Sequence, residues 1–131
     1  MRVLIKQLAI VTLALGAGCA GHHPGSGPTP GAPQRNRISI IEIQEAMAQG
    51  TGNVYDLIQR VHPEWLRSLN NVNGFPVQPN VYMDIHLMGT LTVLSQMNLS
   101  GLTGIRYLSP SEAQGELGLD NLGGAIVLTT R

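Results

Sequence analysis

The stretch Ala125 to Thr130, AIVLTT, constrains the fold more than any other part of this chain. Four successive apolar residues lead into two threonines, a run of β-formers shorter than a typical helix. Successive side chains of a strand point to opposite faces. A strand apolar at every position therefore needs cover on both sides, as a central strand does. The chain must supply neighbouring strands, and helices to pack on them.

The preceding sequence supplies both. In ISIIEIQEAMAQG, Ser39 and Glu42 have the spacing of a capping box, and Ile40, Ile43, Ala46 and Met47 fall on one helical face before Gly50 stops the helix. In NVYDLIQRVHPEWLR, Asn53 is a cap and Val54, Leu57, Ile58 and Val61 form a second apolar stripe. Pro63 suits a fresh helix start, and Trp65, the single tryptophan, reads as a core anchor. The stretch Asn70–Asn80 is rich in Asn, Gly and Pro and reads as a loop. Val81 to Leu87 alternates as one half-buried strand, with Val81, Met83 and Ile85 on one face and Tyr82, Asp84 and His86 on the other. A helix follows with Leu87, Leu91 and Leu94 in line, then a strand around Ile105–Leu108. Ser109, Pro110 and Glu112 signal a short helix to about Leu117. The turn Gly118–Gly124 leads to the last strand. The expected fold is α+β, α/β-like: a three- or four-stranded mixed sheet with helices packed on it. Two strand–helix–strand units imply right-handed crossovers, and Arg37–Ile40 can add an edge strand.

The other end of the chain carries an address. Arg2 and Lys6 precede an apolar run from Leu8 to Leu15, then small residues up to Cys19, the single cysteine. This is a secretory signal pattern, and its apolar run is shorter than the ~20 residues needed to span a bilayer. LGAGC resembles the lipobox of bacterial lipoproteins, with Leu15 one step earlier than the family's usual leucine and Gly16 in its place. The resemblance implies a signal peptide over 1–18 and an acylated Cys19 anchoring the chain to membrane. Ala20, where inner-membrane retention uses aspartate, implies outer-membrane sorting, facing the periplasm. Residues 19–36, with the lipidated cysteine and a Gly/Pro-rich run, read as a flexible tether. His22 and His23 are solvated tether residues on this reading. Loss of 1–18 leaves six arginines against eight carboxylates, a net charge of −2. No basic patch recommends nucleic acid.

The folded part, 37–131, resembles the plug domain of TonB-dependent outer-membrane receptors. Val81–Asp84 stands for that family's strand ending in "DG", and Ile105–Leu108 for its "IERIEVLRGP" strand. Pro110 and Ser111 match its "PS", Leu117 and Gly118 stand for an aromatic–Gly pair, and Gly123–Thr130 matches its "GG" and final strand. Ile85 and Ser109 replace two of the family's glycines. In receptors this strand leads into a transmembrane barrel. Here no series of alternating ten-residue strands is present to build one. The expectation is a free-standing plug-like domain on a lipid tether, not a transporter by itself.

Three function classes follow. The first is a binding or interaction module contacting an envelope protein or a small ligand. The second is a structural or vestigial receptor fragment, which the intact capping boxes and stripes disfavour. The third and most distant is an enzyme. No nucleophile elbow, HExxH or CxxC occurs. Asp84 and His86 could orient one another, but a polar strand face gives the same pattern. GELGLDNLGG precedes a strand, whereas phosphate loops open a helix. No catalytic residue, metal ligand or cofactor is assigned. The candidate interaction residues are Phe75 and Asn80 on the first loop, and Leu119, Asp120 and Asn121 on the second.

Overall fold

The computed structural model describes residues 35–67 and 70–131. The leader, Cys19, His22, His23 and nearly all of the tether lie outside the described residues. The order of elements is β1 (Arg37–Ser39), α1 (Ile40–Ala48), α2 (Val54–Val61), a 3-10 turn (Pro63–Leu66), β2 (Asn70–Val72), β3 (Phe75–Val77), β4 (Asn80–Met83) and β5 (His86–Thr90). A second 3-10 turn (Leu91–Gln96), β6 (Leu102–Leu108), α3 (Pro110–Leu117) and β7 (Ala125–Thr130) complete it. The fold is α+β. Its main sheet has five strands in the order β1-β6-β7-β4-β5, and β2 and β3 form a separate ribbon. The five strands exceed the expected three or four, because Val81–Leu87 is not one strand.

β7 is the middle strand, parallel to β4 and antiparallel to β6. Its residues divide between two apolar clusters. Ile126 and Leu128 join Ile38, Val81 and Ile105 beneath Ile43 of α1 and Val54, Leu57 and Ile58 of α2. Ala125 and Val127 join Tyr82 and Leu108 beneath Ala113 of α3. The continuous apolar run is thus the sequence record of a strand covered on both faces.

The helices begin and end where their caps dictate. Ser39 Oγ and backbone N–H both donate to Glu42 at 2.8 and 2.7 Å, and Glu42 N–H returns to Ser39 Oγ. Ser109 and Glu112 repeat the arrangement at α3, with Pro110 in the first turn. α1 closes in a Schellman motif: Gly50 (φ +86°) donates to Met47 O and Thr51 to Ala46 O. Asn53 caps α2 by accepting from Asp56 N–H at 2.8 Å. Ile43 and Ala46, and Val54, Leu57 and Ile58, are buried as expected, but Met47 and Val61 at the last turns are exposed. Trp65 is buried on the face of α2, between the rings of His62 at 4.3 Å and Tyr107 at 5.8 Å.

Several expectations are corrected. The chain reverses at Asp84–Ile85, so Met83 pairs with His86 and a hairpin replaces the single strand. Asp84 takes φ +55°, a left-handed conformation that Asp tolerates better than most residues. Ile85 therefore sits exposed on the turn. The expected helix after Leu87 is a strand up to Thr90 followed by a single 3-10 segment, which buries Leu91 and Leu94 and leaves Leu87 exposed. The sheet is mixed as expected, but the two successive right-handed crossovers do not form. α3 and the following turn return the chain to the sheet end it left, so Leu108 pairs with Ala125 and β7 runs antiparallel to β6.

Asn70–Val77 is not an irregular loop. Val72 pairs with Phe75 across Asn73–Gly74, whose φ angles are +52° and +83°. Positive φ at both central residues is the type I′ turn, which matches the right-handed twist of strands and for which Asn-Gly is the favoured pair. Pro76 is tolerated because a two-stranded ribbon has only edges.

Candidate functional site

The two segments singled out from sequence form one surface. Asn70 Nδ2 at the base of the β2–β3 ribbon donates to Leu122 O at 2.9 Å. Asn80 Nδ2, at the start of β4, donates to Asn121 Oδ1 at 3.0 Å. The backbone of Gly123 lies so close to Gln78 that a Cβ there would stand 2.3 Å from Gln78 O. The ribbon and the Gly118–Gly124 turn are therefore locked base to base.

This surface exposes apolar side chains among polar ones such as Asn71, Asn73, Gln78 and Asp120. Phe75 is 74% exposed, near the ribbon tip, about 7 Å along the strand from Val77. Leu119 is 78% exposed on the turn, with Leu122 beside it on the same segment. No residue from Asn70 to Asn80 carries a charge, and Asp120 is the only charged residue from Leu117 to Gly124. Phe75 therefore does not fold back as part of the core. Such rigidly held, exposed aromatic and aliphatic groups are the usual raw material of a contact surface.

Asn121 plays a different part. It is 1% exposed and accepts hydrogen bonds from Tyr82 Oη at 3.0 Å and from Asn80, while its amide donates to Gly118 O at 2.8 Å. Its side chain holds the turn from within, and Asn80 is half-buried in the same network. Of the candidate interaction residues, Phe75, Leu119 and Asp120 are exposed, and the neighbouring Leu122 is exposed with them. Leu122 was not singled out from sequence; it is marked by lying between a buried asparagine and a glycine pair.

Asp84 and His86 do not form the pair their spacing suggests. The Asp84 carboxylate accepts from Thr130 Oγ1 at 2.6 Å and from Thr130 N–H at 3.0 Å. These two bonds, the hydroxyl first, hold its carboxyl below the usual range, with a smaller contribution from His86. A depressed carboxyl stabilises the fold above its unfolded pKa, and that stabilisation is lost as pH falls through the lower folded value. Asp84→Asn keeps the tolerance for positive φ while removing the charge. The melting temperature of wild type should exceed that of Asp84→Asn at neutral pH, and the gap should close only below the ordinary carboxylate range. Thermal melts across an acid series check this. A gap that is constant with pH refutes the role of the charge.

His62 was also missed as a packed group. Its Nδ1 meets Glu64 Oε1 at 2.8 Å while its ring lies parallel to Trp65. An open groove of about 400 Å³ lies across the molecule, with Met83, Met97, Leu102 and Leu128 among its lining and Arg131 as its only titratable side chain. Among the described residues no group of three His, Cys, Asp or Glu side chains is placed to hold a metal ion, and no helix is long and apolar enough to cross a membrane. Comparison with protein-family models, with curated proteins and with solved structures finds no match.

Proposed function

We propose that this protein is an envelope lipoprotein, anchored through an acylated Cys19, whose α+β domain acts as an interaction module similar to a receptor plug and not as a transporter by itself. One observation carries the reading: a surface whose single charged side chain is Asp120 presents Phe75 and Leu119 on two segments braced by the Asn70–Leu122 and Asn80–Asn121 hydrogen bonds. Exposed aromatics on a rigid support are typical anchors of protein interfaces, and solvating Phe75 has no evident structural benefit. The partner is an envelope protein with an apolar pocket. The reading invokes no cofactor and no catalysis.

The test is capture of partners from envelope membranes by the full chain and by Phe75→Ala. Phe75→Ala should lose the partner that wild type retains, with a melting temperature within a few degrees because the ring is largely solvated. Unchanged capture with a large loss of stability overturns the reading. The anchor is tested separately. Cys19→Ser should fail to partition with membranes as a processed species. A processed Cys19→Ser protein that still fractionates with membranes removes the lipid from the proposal.

A further inference from the structure

The two edges of the main sheet differ. β1 is three residues long and begins with the exposed Arg37. Short, charged strands are how proteins keep a sheet edge from pairing with other chains. β5, at the opposite edge, has five residues, HLMGT, with no Lys, Arg, Asp, Glu or Pro. One side of β5 pairs with β4, and among the described residues its other side has no strand partner. Leu87 is 58% exposed and Met88 44% exposed, and Ile85 projects from the turn that precedes them. The β4–β5 ladder shifts between Val81 and Tyr82, so Met88 has no partner on β4. The shift leaves an apolar side chain on this edge instead of a charge.

We infer that β5 is a self-association edge, pairing antiparallel with β5 of a second copy of this chain about a two-fold axis. Three properties favour a second copy. Antiparallel pairing on a two-fold presents the same edge twice, so any strand with free backbone groups is complementary to itself in hydrogen bonding. The strand carries no Lys, Arg, Asp or Glu that the axis would bring against its like. The exposed Leu87 and Met88 of each copy gain apolar neighbours that a solvated edge does not offer. The two five-stranded sheets become one of ten strands. A five-residue ladder is only about 17 Å long. So short a contact makes a reversible association. It uses a different edge from the Phe75 surface and does not depend on that surface's role.

The test uses the full chain with Cys19→Ser, which removes the native thiol, and Met88→Cys, which places a new one on the edge. Mild oxidation should give a covalent dimer of doubled mass, since paired strands bring facing Cα atoms into disulfide range. Sedimentation of the Cys19→Ser chain should show a concentration-dependent dimer. Leu87→Lys should weaken that dimer at least tenfold and block the cross-link, with the melting temperature preserved because Leu87 is exposed. Phe75→Ala should leave both unchanged. A folded Met88→Cys chain that stays monomeric on oxidation overturns the inference. So does cross-linking of equal yield from Phe75→Cys, or a dimer that Phe75→Ala dissolves and Leu87→Lys does not.

Discussion

Truncation before Gly123 is expected to leave a chain without a cooperative melt. The missing strand is the axis of the sheet, since β7 alone joins β6 on one side to β4 on the other. Its loss separates β1–β6 from β4–β5. It also takes Ile126 and Leu128 from beneath α1 and α2, and Ala125 and Val127 from beneath α3. Burying an aliphatic side chain of this size contributes about 1.5–3 kcal/mol, so Ile126, Val127 and Leu128 together approach the ~5–15 kcal/mol by which a small domain is stable. The hydrogen bonds of two ladders and the Asp84–Thr130 contacts are lost as well. Circular dichroism against temperature checks this. A truncated chain that still unfolds in one sharp transition shows that the sheet survives without its centre.

The reason this strand was legible in sequence, when its neighbours were not, is that its signal is local. AIVLTT needs only its own residues to declare burial on both faces. The capping boxes are equally local: Ser39 and Glu42, or Ser109 and Glu112, touch across three positions, so spacing suffices. Strand pairing is not local. Asp84 sits at the turn with its carboxylate held by Thr130, 46 residues on. No glycine marks that turn, and the alternation of Val81 to Leu87 reads unbroken through it. The Asn73–Gly74 hairpin was readable, since Asn-Gly between Val72 and Phe75 is a strong hairpin signal. The surrounding prolines and asparagines obscured it. At the candidate site, Phe75 declares itself as an aromatic without a stripe to join. Asn121 does not, because its burial depends on Tyr82, 39 residues away, and on Asn80. A polar residue in a glycine-rich turn looks solvated until its partners are known.

The glycine pair that precedes β7 carries the second large expected effect. Gly123→Ala should lower the melting temperature sharply, whereas Gly115→Ala in α3 should raise it. A Cβ at Gly123 would stand 2.3 Å from Gln78 O, 2.6 Å from Gln78 C and 3.0 Å from Val77 O. All three atoms are backbone, held between β3 and β4, so no side chain can swing aside. Relief requires the ribbon and the turn to separate, which also pulls on the Asn70–Leu122 and Asn80–Asn121 hydrogen bonds. Overpacking of buried sites costs about 1–3 kcal/mol and occasionally more, and an immovable neighbour puts this site at the upper end. For a domain of this size each kcal/mol shifts the melting temperature by about 4–8 °C. Gly115 is the matched control. It lies inside α3, where an added Cβ meets nothing within 4 Å, and alanine there removes a helix penalty of about 0.5–1 kcal/mol. The two substitutions add the same methyl group, one against immovable backbone and one in a helix with open space around it. Opposite shifts place the cost in the contact between the turn and Gln78. Equal shifts mean that the turn stands clear of the ribbon in solution, and that Phe75 and Leu119 do not belong to one braced surface.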